Sequence, residues 1–185
     1  MKKYPELNTE RLILRGFQPT DAPHIQELAG AFEVAEMTLN IPHPYLDGMA
    51  ETWMSSHQSE YNSGNGVVFA MIELHSGKLV GAVGLTVTKR FNRAELGYWV
   101  GKPFWEKGYA TEASKALLKY GFEVIRLNKI PASHMTQNPA SGRVMQKIGM
   151  ESEGVLKQHA LKWDQFVDLA IYGIVSTAWQ AQQTQ

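Results

Sequence analysis

The chain has 185 residues, of which 44% are hydrophobic and 19% charged, the balance of an ordinary globular domain. Its 18 lysines and arginines equal its 18 aspartates and glutamates, and this neutrality argues against a dedicated nucleic-acid binder. The absence of cysteine excludes disulfides, thiolate metal sites and a cysteine nucleophile. The first residues lack the apolar core of a signal peptide, and no stretch approaches the ~18 apolar residues of a membrane span. We therefore expect one cytoplasmic domain over residues 1–185, with no membrane partner.

The first third of the chain predicts a strand and two helices around a loop. "ERLILRGF" predicts the strand, and "PTDAPHIQELAGAF" predicts a helix with Thr20 as its N-cap and Pro23 in its first turn. Prolines and a glycine between residues 37 and 48 indicate a loop. Residues 49–64 predict a second helix that ends near Gly64 or Gly66.

The hydrophobic period then changes from helical to alternating. "VVFAMIEL", "KLVGAVGLTVT" and "AELGYWV" are rich in strand-forming residues and are joined by short polar connections, which predicts a three-stranded antiparallel meander. A helix follows from Ala110, because apolar positions 113, 117, 121 and 124 share one helical face.

The last third predicts a strand, a helix and two closing strands. "NKIPASHM" is the strand, and the helix "NPASGRVMQKIGM" has Asn138 as N-cap, Pro139 at its first position and Gly149 just past its end. "VLKQHALKW" and "QFVDLAIYGIV" predict the closing strands, whose unpaired edge could support a homodimer. The order of elements indicates an α/β domain with a mainly antiparallel sheet.

The stretch "WVGKPFWEKGYATEA", residues 99–113, joins a strand to the start of a helix through a loop that contains Gly101 and Gly108. Unpaired N–H groups and a partial positive charge make such a helix start a phosphate site, and Lys102 and Lys107 add charge nearby. The alternative is an ordinary connection with surface lysines. The stretch matches neither the dinucleotide fingerprint nor the P-loop.

Three polar residues are candidates for chemistry, each with a structural alternative. Glu95, among apolar neighbours, could be a general base, or strand alternation could turn it to solvent. Asn138 and Ser141 lie at a helix start, where Asn138 caps the helix and Ser141 could face a ligand. The six histidines are scattered without the spacing of metal ligands, so we expect no metal site.

These stretches resemble the Gcn5-related N-acetyltransferase (GNAT) superfamily, and in particular its branch of RimI/RimJ/RimL-type ribosomal-protein N-terminal acetyltransferases. "LNTERLILR" is similar to the opening strand of that branch, "AELGYWV…FWEKGYATEA" to its acetyl-CoA motif, and "NPASGRVMQKIGMESEG" to its later Asn-x-x-Ser helix. The resemblance spans nearly the whole chain. It implies a mainly antiparallel mixed sheet of about six to seven strands, flanked by about four helices.

The resemblance also implies roles for named residues. Acetyl-CoA would be the co-substrate, and a primary amine would attack its thioester directly. Glu95 would act as the base, directly or through water, and Ser141 would protonate the departing thiolate. The cofactor contacts would come from the strand at Tyr98, Trp99 and Val100 (pantetheine), from the turn at Lys107, Gly108, Tyr109, Ala110 and Thr111 (pyrophosphate), and from Asn138 (the arm near the thioester).

Two questions stay open at this point. Relatives commonly have glycine where this chain has Glu106, so a positive φ there would strain the glutamate, and its charge would oppose the diphosphate. The acceptor could be a protein N-terminus, a free amino acid, a polyamine or an amine-bearing antibiotic, in a pocket built by the first two helices and "LNIPHPYLDG", with His43 and Tyr45 as lining candidates. The alternatives to an N-acetyltransferase are a non-catalytic acyl-CoA-binding module and an unrelated nucleotide-phosphate binder.

Overall fold

The computed structural model describes residues 2–183, and its centre is one eight-stranded mixed sheet. The sheet order is β1-β2-β3-β4-β5-β6-β8-β7, and every neighbouring pair is antiparallel except β5 and β6. The strands are β1 Leu7–Asn8, β2 Leu12–Arg15, β3 Gly66–Glu73, β4 Leu79–Thr88, β5 Arg93–Val100, β6 Lys129–Met135, β7 Glu151–Lys162 and β8 Gln165–Val175. The predicted meander is confirmed as β3–β4–β5, and the two closing strands as β7 and β8.

Seven α-helices occur in the described part of the chain, where about four were expected. They are α1 Ala22–Ala29, α2 Phe32–Glu36, α3 Met49–Ser55, α4 His57–Ser63, α5 Tyr109–Lys119, α6 Pro139–Lys147 and α7 Ser176–Gln183. The difference has three sources. The helix predicted over residues 49–64 is broken at Ser56, and the short helix α2 and the polar helix α7 carry little apolar periodicity. No helix within residues 2–183 is long and apolar enough to cross a membrane.

Two local predictions are wrong. Thr20 lies in a 3₁₀ turn over Pro19–Asp21, and the residue before α1 is Asp21, whose carboxylate accepts hydrogen bonds from Arg15 at 2.7 and 2.9 Å and from the Gln18 N–H. Val124 is 63% exposed rather than buried. After Lys119 the chain continues as a π-helical turn over Tyr120–Ile125, whose wider winding moves Val124 off the face predicted for a regular α-helix.

Alternation along the strands creates two cores, one on each face of the sheet. On β5, Ala94 and Leu96 point to the core covered by α5, α6 and α7, whereas Trp99 points to the core covered by α1, α2 and α3. The side chains of β5 therefore reach both faces. At the far end of the sheet, β7 has a strand neighbour on one side only, and the dimer through this edge stays a prediction.

The parallel pair at the centre of the sheet opens into a gap. Strands β5 and β6 pair at Arg93–Lys129 and at Leu96–Ala132. Beyond these residues β5 stays with β4 as far as the Val100–Gly81 pair, and β6 stays with β8 as far as the Met135–Leu169 pair. The two strands therefore separate toward their carboxyl ends, and the gap lies where both helical layers meet.

Candidate active site

The gap between β5 and β6 continues into a cleft of about 1480 Å³ that passes through the sheet. One half, which we call the donor half, is lined by the starts of α5 and α6. The other half, which we call the acceptor half, is lined by β4, β5, α1, α3 and the loop that precedes α3. The turn that precedes α5, Asn138, Ser141 and Glu95 are thereby brought to one cleft.

The edge of β5 that faces the gap has no strand partner among the described residues beyond Leu96. The Gly101 N–H donates to the Val80 carbonyl on β4, and backbone groups of alternate residues point to the same edge. The backbone of Trp99 therefore faces β4, while those of Tyr98 and Val100 face the gap. The Val100 carbonyl accepts a hydrogen bond from Trp105 Nε1 at 2.7 Å. Of the three residues expected to offer backbone groups to a ligand, Trp99 has its backbone turned to β4, and its side chain is buried in the second core.

The turn before α5 has two residues in the left-handed region, Glu106 at φ 62° and Gly108 at φ 81°. Gly108 is the N-cap of α5, and no side chain caps the helix start. The N–H groups of the first turn, at Tyr109, Ala110 and Thr111, have no partner inside the helix. Because Gly108, Ala110 and Thr111 line the cleft, these groups lie at its donor half.

A clamp from the start of the chain holds this turn. Arg11 Nη1 donates to the Lys107 carbonyl at 2.9 Å, and Arg11 Nε donates to Glu112 at 2.7 Å. Thr9 Oγ1 donates to Glu112 at 2.7 Å. Burial alone would raise the pKa of Glu112, but the hydrogen bonds from Thr9 and Arg11 outweigh it and lower that pKa. The clamp joins residues 101 positions apart, so local sequence patterns gave no signal of it.

Two residues of the predicted turn contribute less than expected. The Lys107 ammonium lies 5.4 Å from the centre of the Phe104 ring, and Lys107 does not line the cleft. The Tyr109 side chain is buried, and its hydroxyl donates to Glu73 away from the cleft. Tyr109 therefore offers its backbone N–H alone.

The start of α6 places Ser141 against the open edge of β5. Asn138 caps the helix by accepting from the Ser141 N–H at 3.2 Å, and Asn138 Nδ2 donates to the Met37 carbonyl at 2.9 Å. The Tyr98 hydroxyl lies 2.9 Å from Ser141 Oγ and 3.0 Å from the Ser141 carbonyl oxygen. Burial raises the pKa of Tyr98 to about 12, with the Ser141 hydrogen bond acting in the opposite direction, so the phenol stays protonated at neutral pH.

Glu95 lies on the acceptor side of β5 and is exposed to the cleft. Ser133 Oγ on β6 donates to Glu95 Oε1 at 3.2 Å, across the gap. Tyr45 lines the acceptor half as expected. His43 does not, because its ring packs against Phe32 and Trp163 and its Nδ1 contacts the Gly30 carbonyl oxygen outside the cleft.

Comparison with known proteins decides the family. The family model described as "Acetyltransferase (GNAT) domain" matches residues 11–151, which is most of the chain. The chain belongs to the GNAT acetyltransferase family. As a GNAT acetyltransferase it is an acyltransferase. The expected mainly antiparallel mixed sheet flanked by helices is confirmed, with eight strands where about six to seven were expected. Membership in this family excludes the alternative of an unrelated nucleotide-phosphate binder.

Relatives of this GNAT acetyltransferase match it over nearly their whole length. It is 28% identical to the uncharacterized N-acetyltransferase YoaA of Bacillus subtilis (strain 168), over 93% of this chain and 97% of YoaA. It is 24% identical to the ribosomal protein uS5-alanine N-acetyltransferase of Escherichia coli (strain K12), over 94% of this chain and 92% of that enzyme. The crystal structure of the microcin C7 self-immunity acetyltransferase MccE, in complex with acetyl-CoA and AMP, superposes with a TM-score of 0.81 at 18% identity, over 90% of this chain and 93% of that chain.

Proposed function

We propose that the chain works as a single N-acetyltransferase domain that transfers an acetyl group from acetyl-CoA to a primary amine. The observation that carries the proposal is the open edge of β5 beside the uncapped start of α5, at one cleft that passes through the sheet. One half of this cleft suits a long anionic donor, and the other half gives an amine access to the donor's reactive end.

The donor half fits acetyl-CoA by its chemistry. The backbone groups of Tyr98 and Val100 match amides of the pantetheine arm, since an extended chain with amides can pair with a free strand edge. The N–H groups at the start of α5 suit a diphosphate. A side chain at Gly108 would meet only Arg11 Nη2, at 3.5 Å, so the backbone of this turn is open to a close approach. Arg143 and Lys147 on α6 add positive charge to the same half.

The acceptor half supplies the proton chemistry. Acetyl-CoA, when bound, provides the activated acetyl group. The amine nitrogen forms the new bond to the acetyl carbon, and the carbon–sulfur bond breaks. We assign the uptake of the amine proton to Glu95, directly or through water, and the donation of a proton to the leaving sulfur to Ser141. Tyr98 orients the Ser141 hydroxyl through the 2.9 Å contact.

The acceptor class receives support from a relative. The uS5-alanine N-acetyltransferase is named for acetylation of an alanine of a ribosomal protein, and this favours a polypeptide amine as acceptor here. A small amine is the second candidate, because the cleft is open to solvent and Glu95 is exposed in it. The remaining alternative, a non-catalytic acyl-CoA-binding module, is disfavoured because both Glu95 and Ser141 face the cleft.

A charge placed in the donor half tests the proposal. Ala110→Asp puts a carboxylate in the first turn of α5, where it suits the helix but repels a diphosphate. We expect it to weaken acetyl-CoA binding, measured by titration calorimetry, by about tenfold or more. The matched control Ser59→Asp puts the same charge in the first turn of α4, outside the cleft, and should leave binding unchanged. Equal binding by both variants and the parent would refute the donor site.

A further inference from the structure

The two halves of the cleft carry opposite charges. Among residues 2–183, the charged side chains that line the donor half are the cations Arg143 and Lys147 on α6 and the carboxylate Glu106, which leaves a net positive charge there. Within the described residues, the charged side chains that line the acceptor half are Asp47 and Glu95. Asp47 is exposed and accepts a hydrogen bond from Gln26 Nε2 at 2.7 Å. This half therefore attracts a cation and repels an anion.

The walls of the acceptor half are largely apolar or aromatic. They include Ile25, Leu39, Ile41, Tyr45, Trp53 and Trp99. Gly97 lies in β5 between Glu95 and Trp99, on the same face of the strand. It has no positive φ, and a side chain there would meet no atom within 4 Å. Neither the backbone nor the packing requires this glycine, so its effect is to leave room beside Glu95.

A buried lysine that contacts the loop of this half already has hydrogen-bond partners. Lys162, at the end of β7, is 6% exposed, and its ammonium donates to the Ile41 carbonyl at 3.0 Å and to the Leu39 carbonyl at 3.5 Å. It also lies 4.4 Å from the centre of the Trp163 ring. Burial lowers the pKa of Lys162. Lys162 binds the backbone of the loop that precedes α3 and does not line the cleft. It therefore offers no partner to the carboxylate of a ligand.

We propose that the acceptor is a cationic primary amine joined to an apolar group and lacking a carboxylate next to the amine. The proposal rests on the acetyl transfer proposed above and narrows its acceptor. A free amino acid would bring its carboxylate into the half that Asp47 and Glu95 line, where both carboxylates repel it and the described lining residues offer no cation to pair it. An amide-capped amino acid or a peptide N-terminus offers the same amine beside a neutral amide.

A matched pair of small amines tests this directly. L-Alaninamide and L-alanine differ only in the group that replaces the carboxylate. Release of CoA thiol from acetyl-CoA can be followed with a thiol reagent free of protein background, because the chain has no cysteine. Rates are compared per concentration of neutral amine, since the carboxylate of alanine raises the pKa of its amine. We expect kcat/KM to be about tenfold higher for alaninamide, which corresponds to the repulsion of one carboxylate by two others at about 6 Å in water. Equal or better use of alanine would overturn the proposal.

A substitution can change the net charge of the acceptor half without altering the proposed catalytic residues. Thr52 is exposed on α3 and lines the acceptor half, so Thr52→Arg adds a cation there. It should lower the alaninamide-to-alanine preference by about threefold, because one added cation offsets one of the two carboxylates at about 6 Å in water. Ser55→Arg adds the same charge on the same helix outside the cleft and should keep the parent preference. A preference unchanged by Thr52→Arg would contradict the charge argument.

Failure of the acceptor class and failure of the proposed function have different signatures. If acetyl-CoA binds saturably but neither alaninamide nor alanine releases CoA thiol, the acceptor class is wrong and the donor site stands. If acetyl-CoA does not bind, the proposed function itself is wrong.

Discussion

Replacing Glu106 tests the phosphate turn through both stability and binding. Glu106 has a φ of 62° in the turn that precedes Gly108. A non-glycine residue in this left-handed region carries a penalty of about 1–2 kcal/mol. Glycine removes this strain, although its greater freedom in the unfolded chain returns about 0.5–1 kcal/mol. Glu106→Gly should therefore raise the free energy of unfolding by up to about 1.5 kcal/mol.

The same change should strengthen acetyl-CoA binding. The Glu106 side chain is exposed and lines the cleft beside the helix start. In water, one carboxylate repels one phosphate charge at about 6 Å with about 0.7 kcal/mol, so two phosphate charges give about 1.4 kcal/mol. This corresponds to about tenfold in affinity at low ionic strength, and to less as added salt screens the charges.

Titration calorimetry at low and at high salt, combined with thermal unfolding, separates the two effects. Glu106→Gln removes the charge but keeps the strained backbone. It should reproduce the gain in affinity without the gain in stability. Clearly weaker acetyl-CoA binding by Glu106→Gly would refute the account of this turn.

Three further predictions concern the proton chemistry and pH. Ser141→Ala should lower kcat more than it lowers acetyl-CoA affinity, and unchanged turnover in this variant would show that Ser141 is not the acid. Tyr98→Phe should lower kcat by roughly tenfold. The losses in kcat from the two changes should not add in the double variant, because both act through one pair of hydroxyl groups. Glu95→Gln should lose activity mainly at lower pH, where the amine is most protonated, and a pH profile identical to the parent's would make Glu95 a structural residue. Burial lowers the pKa of His57 to about 4, so the folded chain keeps it neutral while the unfolded chain binds a proton below about pH 6.5. The His57 contribution to the free energy of unfolding should be full above pH 6.5 and should be lost as the pH falls toward 4, by at most about 3 kcal/mol before solvent screening. In His57→Phe, thermal unfolding should show a smaller loss of stability over the same pH range.

Local patterns predicted the elements whose signals lie within a few residues. The α6 helix starts and ends as its cap, proline and glycine indicated, because caps are formed by neighbours in the sequence. The meander followed from alternation and short connections. Glu106 has a positive φ, which is the conformation for which the family resemblance raised the question of strain.

Contacts between distant parts of the chain could not be predicted in this way. The Tyr98–Ser141 hydroxyl pair joins residues 43 positions apart, and its formation depends on how α6 packs against β5. The sequence pointed to Tyr98 for its backbone and missed its hydroxyl. The register of β5 with β4 decides whether the backbone groups of a β5 residue face β4 or the gap. The sequence alone therefore could not show that Trp99 faces β4 while Tyr98 and Val100 face the gap. The π-helical turn after α5, which exposes Val124, left no periodic signal.

The central claim is that the cleft transfers acetyl groups from acetyl-CoA to amines. The most direct measurement is CoA thiol release from acetyl-CoA with short peptides that begin with Ala or Ser, accompanied by mass spectrometry of the peptide amine. The account predicts saturable release, with one acetyl group on the α-amine for each thiol released, and a loss of turnover in Ser141→Ala. Saturable acetyl-CoA binding without acetylation of any peptide or small amine would contradict the claim that this cleft is catalytic.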